Sequence, residues 1–205
     1  MTAETIRRQP TQARARERVE RILTAATELI AETGSDAVRM TEVAERAGVP
    51  VGSLYQYFPD KAAILRMLAM RVMERVRDGL LHNLAGAASA TDALAKVDAT
   101  MLAYYRLFLT EPVTRDIWSA TQADKTLQEL DIEDSRVNGR IFFDGLKHLV
   151  PKREHARFRA SSFLMMQLSG AAVRLAIAVD RKEGDRLMEE YRRLLRAELE
   201  SLFAR

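Results

Sequence analysis

Apolar residues recur at three- and four-residue intervals along almost the whole chain, the spacing of one helix face. Val19, Ile22, Leu23, Ala26, Leu29 and Ile30 form one such stripe, ended by Gly34 at the C′ position. Leu94, Val97, Met101, Tyr105 and Phe108 form another, preceded by Ser89 with Asp92 three residues on, a variant capping box. Leu127, Leu130, Val137, Ile141 and Leu149 follow more loosely, and Leu187, Tyr191, Leu194 and Leu202 mark the last stripe. The pattern predicts helices at about 12–33, 41–47, 51–57, 61–83, 90–110, 113–122, 125–149, 153–179 and 185–203. All five prolines (10, 50, 59, 112 and 151) fall at the expected boundaries, and no alternating strand or hairpin turn interrupts the series. The predicted fold is all-α.

Short helices with tight connections come first, then long ones with broad apolar faces. This contrast predicts a small three-helix module over 11–60, preceded by a flexible basic arm over 1–10, on a larger helical body over 61–205. The helix from Lys61 carries Ile64, Leu65, Leu68, Val72 and Val76 on one stripe with methionines beside it, and so serves both parts. The arm expectation rests on charge: residues 1–21 hold six arginines against three glutamates, whereas residues 22–61 hold three basic side chains against six acidic ones. Arg7 and Arg8 are expected to neutralise phosphates or enter a minor groove; the bland alternative is a solvated tail.

The 205 residues carry a formal net charge of +3, which by itself announces no nucleic-acid binder. There are no cysteines, which excludes disulfides and thiolate chemistry and fits a reducing cytoplasm. No run reaches the ~18 consecutive apolar residues of a membrane span, and the N-terminus lacks the apolar core of a secretory signal.

The segment 41–61, TEVAERAGVPVGSLYQYFPDK, carries the chemistry. Thr41 is placed to cap a short helix whose inward residues are Val43, Ala44 and Ala47. Gly48 supplies the tight turn and Pro50 opens the next helix. That helix keeps Leu54 and Phe58 inward and leaves Val51, Gly52, Ser53, Tyr55, Gln56 and Tyr57 on or near its outer face. Gln suits a bidentate pair with adenine, Val meets a thymine methyl, Tyr hydroxyls reach phosphates, and Lys61 places an ammonium beside one. Packing of the small domain is the plainer role open to Tyr55 and Tyr57, and solvation to Lys61.

From Ile22 to Leu65 the chain closely resembles the TetR family of transcriptional regulators. The resemblance is carried by Gly34, Thr41, Ala47-Gly48-Val49, Gly52-Ser53-Leu54-Tyr55, Tyr57-Phe58 and Lys61. It implies a homodimeric repressor that binds a double-stranded, palindromic DNA operator through a helix-turn-helix domain over 11–60 and is released by a small-molecule effector held in a ligand-binding and dimerisation domain over 61–205; the absence of cysteines fits a cytoplasmic location. It also implies a DNA interface at Thr41, Val51, Gly52, Ser53, Tyr55, Gln56, Tyr57 and Lys61. Position 51 is often Lys in relatives, and position 35 is often aromatic but Ser here, so operator preference does not transfer. No cofactor, metal or membrane is expected.

In the body, Met101, Tyr105, Trp118, Gln122, Asn138, Phe142 and Met166 are candidates to line an effector cavity, with Tyr104, Phe143, Phe163 and Met165 near them. Plain core packing is the competing role for each. Asp131, Glu133 and Asp134 are candidates to attract a cationic ligand, but near a helix start they read rather as solvated or dipole-facing. The two last helices are expected to form the dimer contact, with Ser162, Ser169, Gly170, Ala171 and Ala172 allowing close approach and Leu187, Leu194 and Leu202 supplying apolar area. The alternatives are a regulator that activates or answers to a protein partner, and, from other classes, a helical enzyme or structural adaptor. The enzyme lacks its motifs: there is no G-x-S-x-G, P-loop or H-E-x-x-H, and His82, His148 and His155 lack metal-ligand spacing.

Overall fold

The structure is a computed structural model and describes residues 4–120 and 125–203. Those residues form nine α-helices and no strand: α1 Glu4–Thr33, α2 Met40–Arg46, α3 Val51–Tyr57, α4 Lys61–Leu84, α5 Ala90–Thr110, α6 Pro112–Ala120, α7 Lys125–Leu146, α8 His155–Ala178 and α9 Arg181–Phe203. Two 3-10 turns, Lys147–Leu149 and Lys152–Glu154, lie between α7 and α8. The chain divides into two compact units, Met1–Met70 and Arg71–Arg205.

In the first unit the predicted apolar stripe is the buried one. Ile22, Leu23, Ala26 and Ile30 of α1 are buried, as are Val43 and Ala44 of α2, Leu54 of α3 and Ile64 of α4. Each large aliphatic contributes about 1.5–3 kcal/mol by leaving water. Gly34 ends α1 with φ +81°, its N–H donating to the Ile30 carbonyl at 2.9 Å. Its left-handed backbone is the reason for glycine there. At the other end α1 begins well before residue 12 and runs through Pro10. Pro10 thus stands in the second turn of the helix, at the cost of one main-chain hydrogen bond and of crowding against the carbonyl four residues earlier.

The second unit is built around α8, which packs against both α7 and α9. Phe142, Phe143, Leu146, Phe158, Leu195, Leu199 and Leu202 share one apolar cluster with Leu80 and Leu84 of α4. Glycines permit the closest helix approaches. A Cβ on Gly139 of α7 would stand 2.8 Å from the Phe163 Cα, and one on Gly184 of α9 would stand 2.2 Å from the Ala176 carbonyl oxygen. Ser89 caps α5 as expected, accepting from the Asp92 N–H at 3.2 Å, while Asp92 accepts from Ala88 N–H at 3.0 Å.

Three expectations change. The last helix starts at Arg181, because the Asp180 carboxylate accepts from the Lys182 and Glu183 N–H groups at 3.0 and 3.1 Å. The inward face of α7 is Leu127, Asp131, Ser135, Asn138, Phe142 and Leu146, offset from the expected apolar stripe because several inward positions are polar. Finally, Ser162, Ser169 and Gly170 are buried inside the chain. Ser162 donates to the Phe158 carbonyl and Ser169 to that of Met165, so neither is free to meet another subunit. Leu202 is fully buried too.

What α8 does leave outside is a stripe of Leu164, Leu168, Ala171 and Leu175, at steps of four, three and four residues. Leu194 of α9 is likewise more than half exposed. By length and composition the stretch Lys152–Ala178 suffices to cross a membrane. Its hydropathy comes from being apolar inward, toward α7 and α9, and outward along this stripe.

Candidate nucleic-acid interface and effector cavity

The turn between α2 and α3 is closed by main-chain hydrogen bonds. The N–H groups of Ala47, Gly48 and Val49 donate to the carbonyls of Val43, Glu45 and Ala44 at 2.9–3.0 Å. Gly48 holds φ +63°, and its carbonyl accepts from Arg21 Nη2 at 3.2 Å. Pro50 stands just before α3, with φ −58°, and its carbonyl accepts from Ser53 and Leu54. The turn thereby fixes which face of the seven-residue α3 looks out. Leu54 is fully buried, while Val51 is 40% and Tyr55 48% exposed. Gly52 and Gln56 are exposed beside them, and Ser53 and Tyr57 are half-buried. Among the described residues, the side chains of Tyr55, Gln56 and Tyr57 have no hydrogen-bond partner. Their polar groups are available to an external surface.

Two other candidates are placed differently from the sequence reading. Thr41 is exposed in the first turn of α2, and the helix is entered at Arg39, whose N–H donates to the Glu42 carboxylate at 3.2 Å. Glu42 caps from inside the helix, which leaves the Thr41 hydroxyl free of that duty. Lys61 turns its ammonium onto the carbonyls of Ser35 and Asp36, at 3.0 and 2.8 Å. One of its three donors remains. The start of α4 is capped by Asp60, which accepts from the Ala63 N–H at 2.7 Å. Arg46 is engaged by Glu32 at 2.9 Å and Glu28 at 3.5 Å. The Arg46 hydrogen bond holds the Glu32 carboxyl below its ordinary pKa.

The second unit holds a cavity of about 220 Å³. Five of the seven proposed lining residues meet there: Met101, Trp118, Asn138, Phe142 and Met166. Tyr105 does not; it is buried in an apolar cluster and its hydroxyl donates to Asp185 at 3.1 Å. Tyr104, one turn face away, lines the cavity instead. Gln122 lies outside the described residues. Sequence reasoning found Asn138 but missed the rest of the polar side of the wall. Asp131, Asp134 and Ser135 of α7 line it beside Asn138, spaced at three and four residues among core positions. A polar run sharing the core-facing stripe of a helix was the available signal.

That polar side is tightly connected. Asp134 is ion-paired with Arg77 of α4 and accepts from Asn138 Nδ2 at 2.8 Å. Burial nonetheless holds the Asp134 carboxyl above its ordinary value, the Arg77 hydrogen bond opposing it only in part. Asp131, read from sequence as solvated, is 8% exposed; it accepts from Gln167 Nε2 at 3.2 Å and faces Arg174 Nη1 at 3.8 Å. Burial, reinforced by the Asp131 charge, raises the Tyr104 hydroxyl and keeps it a neutral phenol.

A helix-turn-helix with a partnerless outer face, on the same chain as a cavity-bearing helical body, is the arrangement of a DNA-binding regulator. Residues 22–68 match the bacterial regulatory proteins of the tetR family, and residues 91–203 match a tetracyclin repressor-like C-terminal domain. The second match alone spans more than half of the chain, which therefore belongs to the tetR family. Among curated relatives, the HTH-type transcriptional repressor KstR of Rhodococcus jostii is 48% identical over 61 residues, 30% of this chain and 29% of KstR. The HTH-type transcriptional regulator HbdR of an Aromatoleum species is 35% identical over 100 residues, 43% of this chain and 44% of HbdR. The matched stretches thus span less than half the length of either relative. A solved TetR-family transcriptional regulator from Streptomyces coelicolor superposes with a TM-score of 0.67 at 26% identity, covering 90% of this chain and 99% of that one.

Proposed function

We propose that this chain is a sequence-specific DNA-binding transcriptional regulator, a cytoplasmic homodimeric repressor released from a palindromic operator by a small molecule. The observation that carries the reading is the outward face of α3, where Val51, Gly52, Tyr55 and Gln56 stand exposed on a buried Leu54 anchor. Gln56 reads a base edge, Val51 meets an apolar base contact, and the hydroxyls of Ser53, Tyr55 and Tyr57 reach phosphates; Thr41 contributes from α2. Lys61 adds its remaining donor to a phosphate while its other bonds hold the α1–α2 connection. The residues ahead of Ile22 supply the cationic charge that residues 22–61 lack.

A second copy is the partner that suits the outward stripe of α8. Leu164, Leu168 and Leu175, with Leu194 of α9, make an apolar face that a two-fold axis can pair with itself. Two recognition helices about 34–36 Å apart then enter successive major grooves. The cavity, with its convergent polar groups, favours a small-molecule effector over a protein partner. Helix α4 begins at Lys61, and its later residues Met73, Gly79 and Leu80 line the cavity. An effector that prefers one placement of α4 therefore shifts the population between DNA-competent and released states, by its difference in affinity for the two.

The test is to sequence the DNA fragments retained by the purified protein and measure their affinity for the double variant Gln56→Ala, Tyr57→Phe at equal salt. Loss of at least about tenfold, or roughly 1.4 kcal/mol, is expected. Unchanged binding overturns the assignment of α3 as the reading helix.

A further inference from the structure

We propose that the effector is a compact, uncharged compound with a mostly hydrocarbon body and a free hydroxyl group, and that Asn138 is the residue that selects the hydroxyl. The proposal deepens the effector reading above and rests on it.

The orientation of the Asn138 amide is determined by its neighbour. Its Nδ2 donates to the Asp134 carboxylate at 2.8 Å, which leaves Oδ1 as an acceptor. That oxygen is buried and has no hydrogen-bond partner among the described residues, on a side chain that lines the cavity and is 7% exposed. Buried acceptors are rarely left unpaired in folded proteins, so the arrangement suits an incoming donor. The Tyr104 hydroxyl, also on the cavity wall, has no partner among the described residues either and is a neutral phenol. A ligand hydroxyl donates to the first and accepts from the second.

Charge narrows the class further. The two carboxylates of the wall, Asp131 and Asp134, are each matched by one guanidinium, Arg174 and Arg77. A carboxylate ligand would set a third negative charge beside two buried ones, and an ammonium would add an unmatched positive charge to a balanced site. An ether only accepts, and leaves Asn138 Oδ1 unpaired. The rest of the wall is mostly apolar, Trp118, Phe142 and Met101 included; Asn83, Thr100 and Ser169 also reach it, and a further guanidinium, Arg75, is ion-paired with Glu111. At about 220 Å³ the space exceeds the ~150 Å³ cavity that holds benzene, which admits one ring with substituents.

The experiment is isothermal titration calorimetry on the full chain near neutral pH. Its probes are para-tert-butylphenol and para-tert-butylcyclohexanol against para-tert-butylanisole, para-tert-butylbenzoate and para-tert-butylbenzylammonium. At least one hydroxyl compound is expected to bind about tenfold or more tightly than each of the other three, as in sites built to hydrogen-bond a hydroxyl. The two hydroxyl arms tell a phenol from an alcohol. Asn138→Leu is expected to shrink that preference to within about threefold while leaving the anisole affinity within about threefold of wild type. A preference that survives in Asn138→Leu overturns the role of Asn138. Equal or tighter binding of the ether, carboxylate or ammonium overturns the proposed class but leaves the effector reading standing. If none of the five binds, the proposed class falls, and the effector reading is decided separately by whether any small molecule releases the retained DNA fragments. The wild-type series decides the ligand class even if the variant fails to fold.

Discussion

Replacing Gly52 by alanine separates folding from DNA binding. Gly52 has ordinary helical backbone, and a Cβ built on it meets nothing within 4 Å. The methyl therefore costs no packing in the free protein, and the helix gains the usual glycine-to-alanine increment of about 0.5–1 kcal/mol. For a chain of this length that raises the thermal midpoint by roughly 1–4 °C. Against DNA the sign reverses. Gly52 precedes Tyr55 by three residues and Gln56 by four, so the three share one exposed face of α3. A methyl there holds the helix off the groove floor and lengthens the contacts of both neighbours. Losing one good base contact costs about 1–3 kcal/mol, or roughly 5- to 150-fold in affinity. The assay pairs a thermal melt with fluorescence anisotropy on a retained DNA fragment at fixed salt. A lower melting point refutes the open geometry around Gly52, and unchanged affinity refutes the placement of this face against DNA.

Other glycines and one buried acid give further outcomes. Gly184→Ala drives a Cβ to 2.2 Å from the Ala176 carbonyl oxygen, a main-chain atom that cannot rotate away. Overpacking of about 1–3 kcal/mol outweighs the helical gain of under about 1, so its thermal midpoint falls, whereas that of Gly79→Ala, with nothing within 4 Å, rises. Because the folded state raises the Asp134 pKa, the stability this group contributes is greatest below the ordinary value of 3.8 and declines as pH rises through the raised value. The wild-type minus Asp134→Asn difference in urea midpoint should therefore decrease with rising pH across that window; a constant difference contradicts the raised pKa.

Local rules read well wherever one residue determines the backbone. The bounds of α3 and α5, the Ser89 cap and the left-handed Gly34 and Gly48 follow from residue type and spacing, and so does the outward face of α3. The misplacements have a common cause in tertiary context. The last helix reads as starting at about 185, but Asp180 caps it at Arg181, and Gly184 inside it lets α9 cross α8 too closely for any side chain. Asp131 and Asp134 read as a solvated face, but Arg77, Gln167 and Arg174 come from other helices to pair them. Lys61 reads as a free cation, whereas its partners are carbonyls 25 and 26 residues earlier in the chain. Such pairings join distant segments, and no periodicity encodes them.

The bonds that occupy those cations bear on how the protein finds its target. Arg46 is held by two glutamates, Lys61 rests on two carbonyls, and residues 22–61 carry a net charge of −3. Random DNA retains proteins almost entirely through such charges. With its own cations so engaged, the proposed reading module leaves the hold on random DNA to the six arginines ahead of Ile22. On that reading the two duties of the proposed regulator are divided along the chain: the arm sets how long it lingers on any DNA, and the match of α3 to the bases sets where it stops.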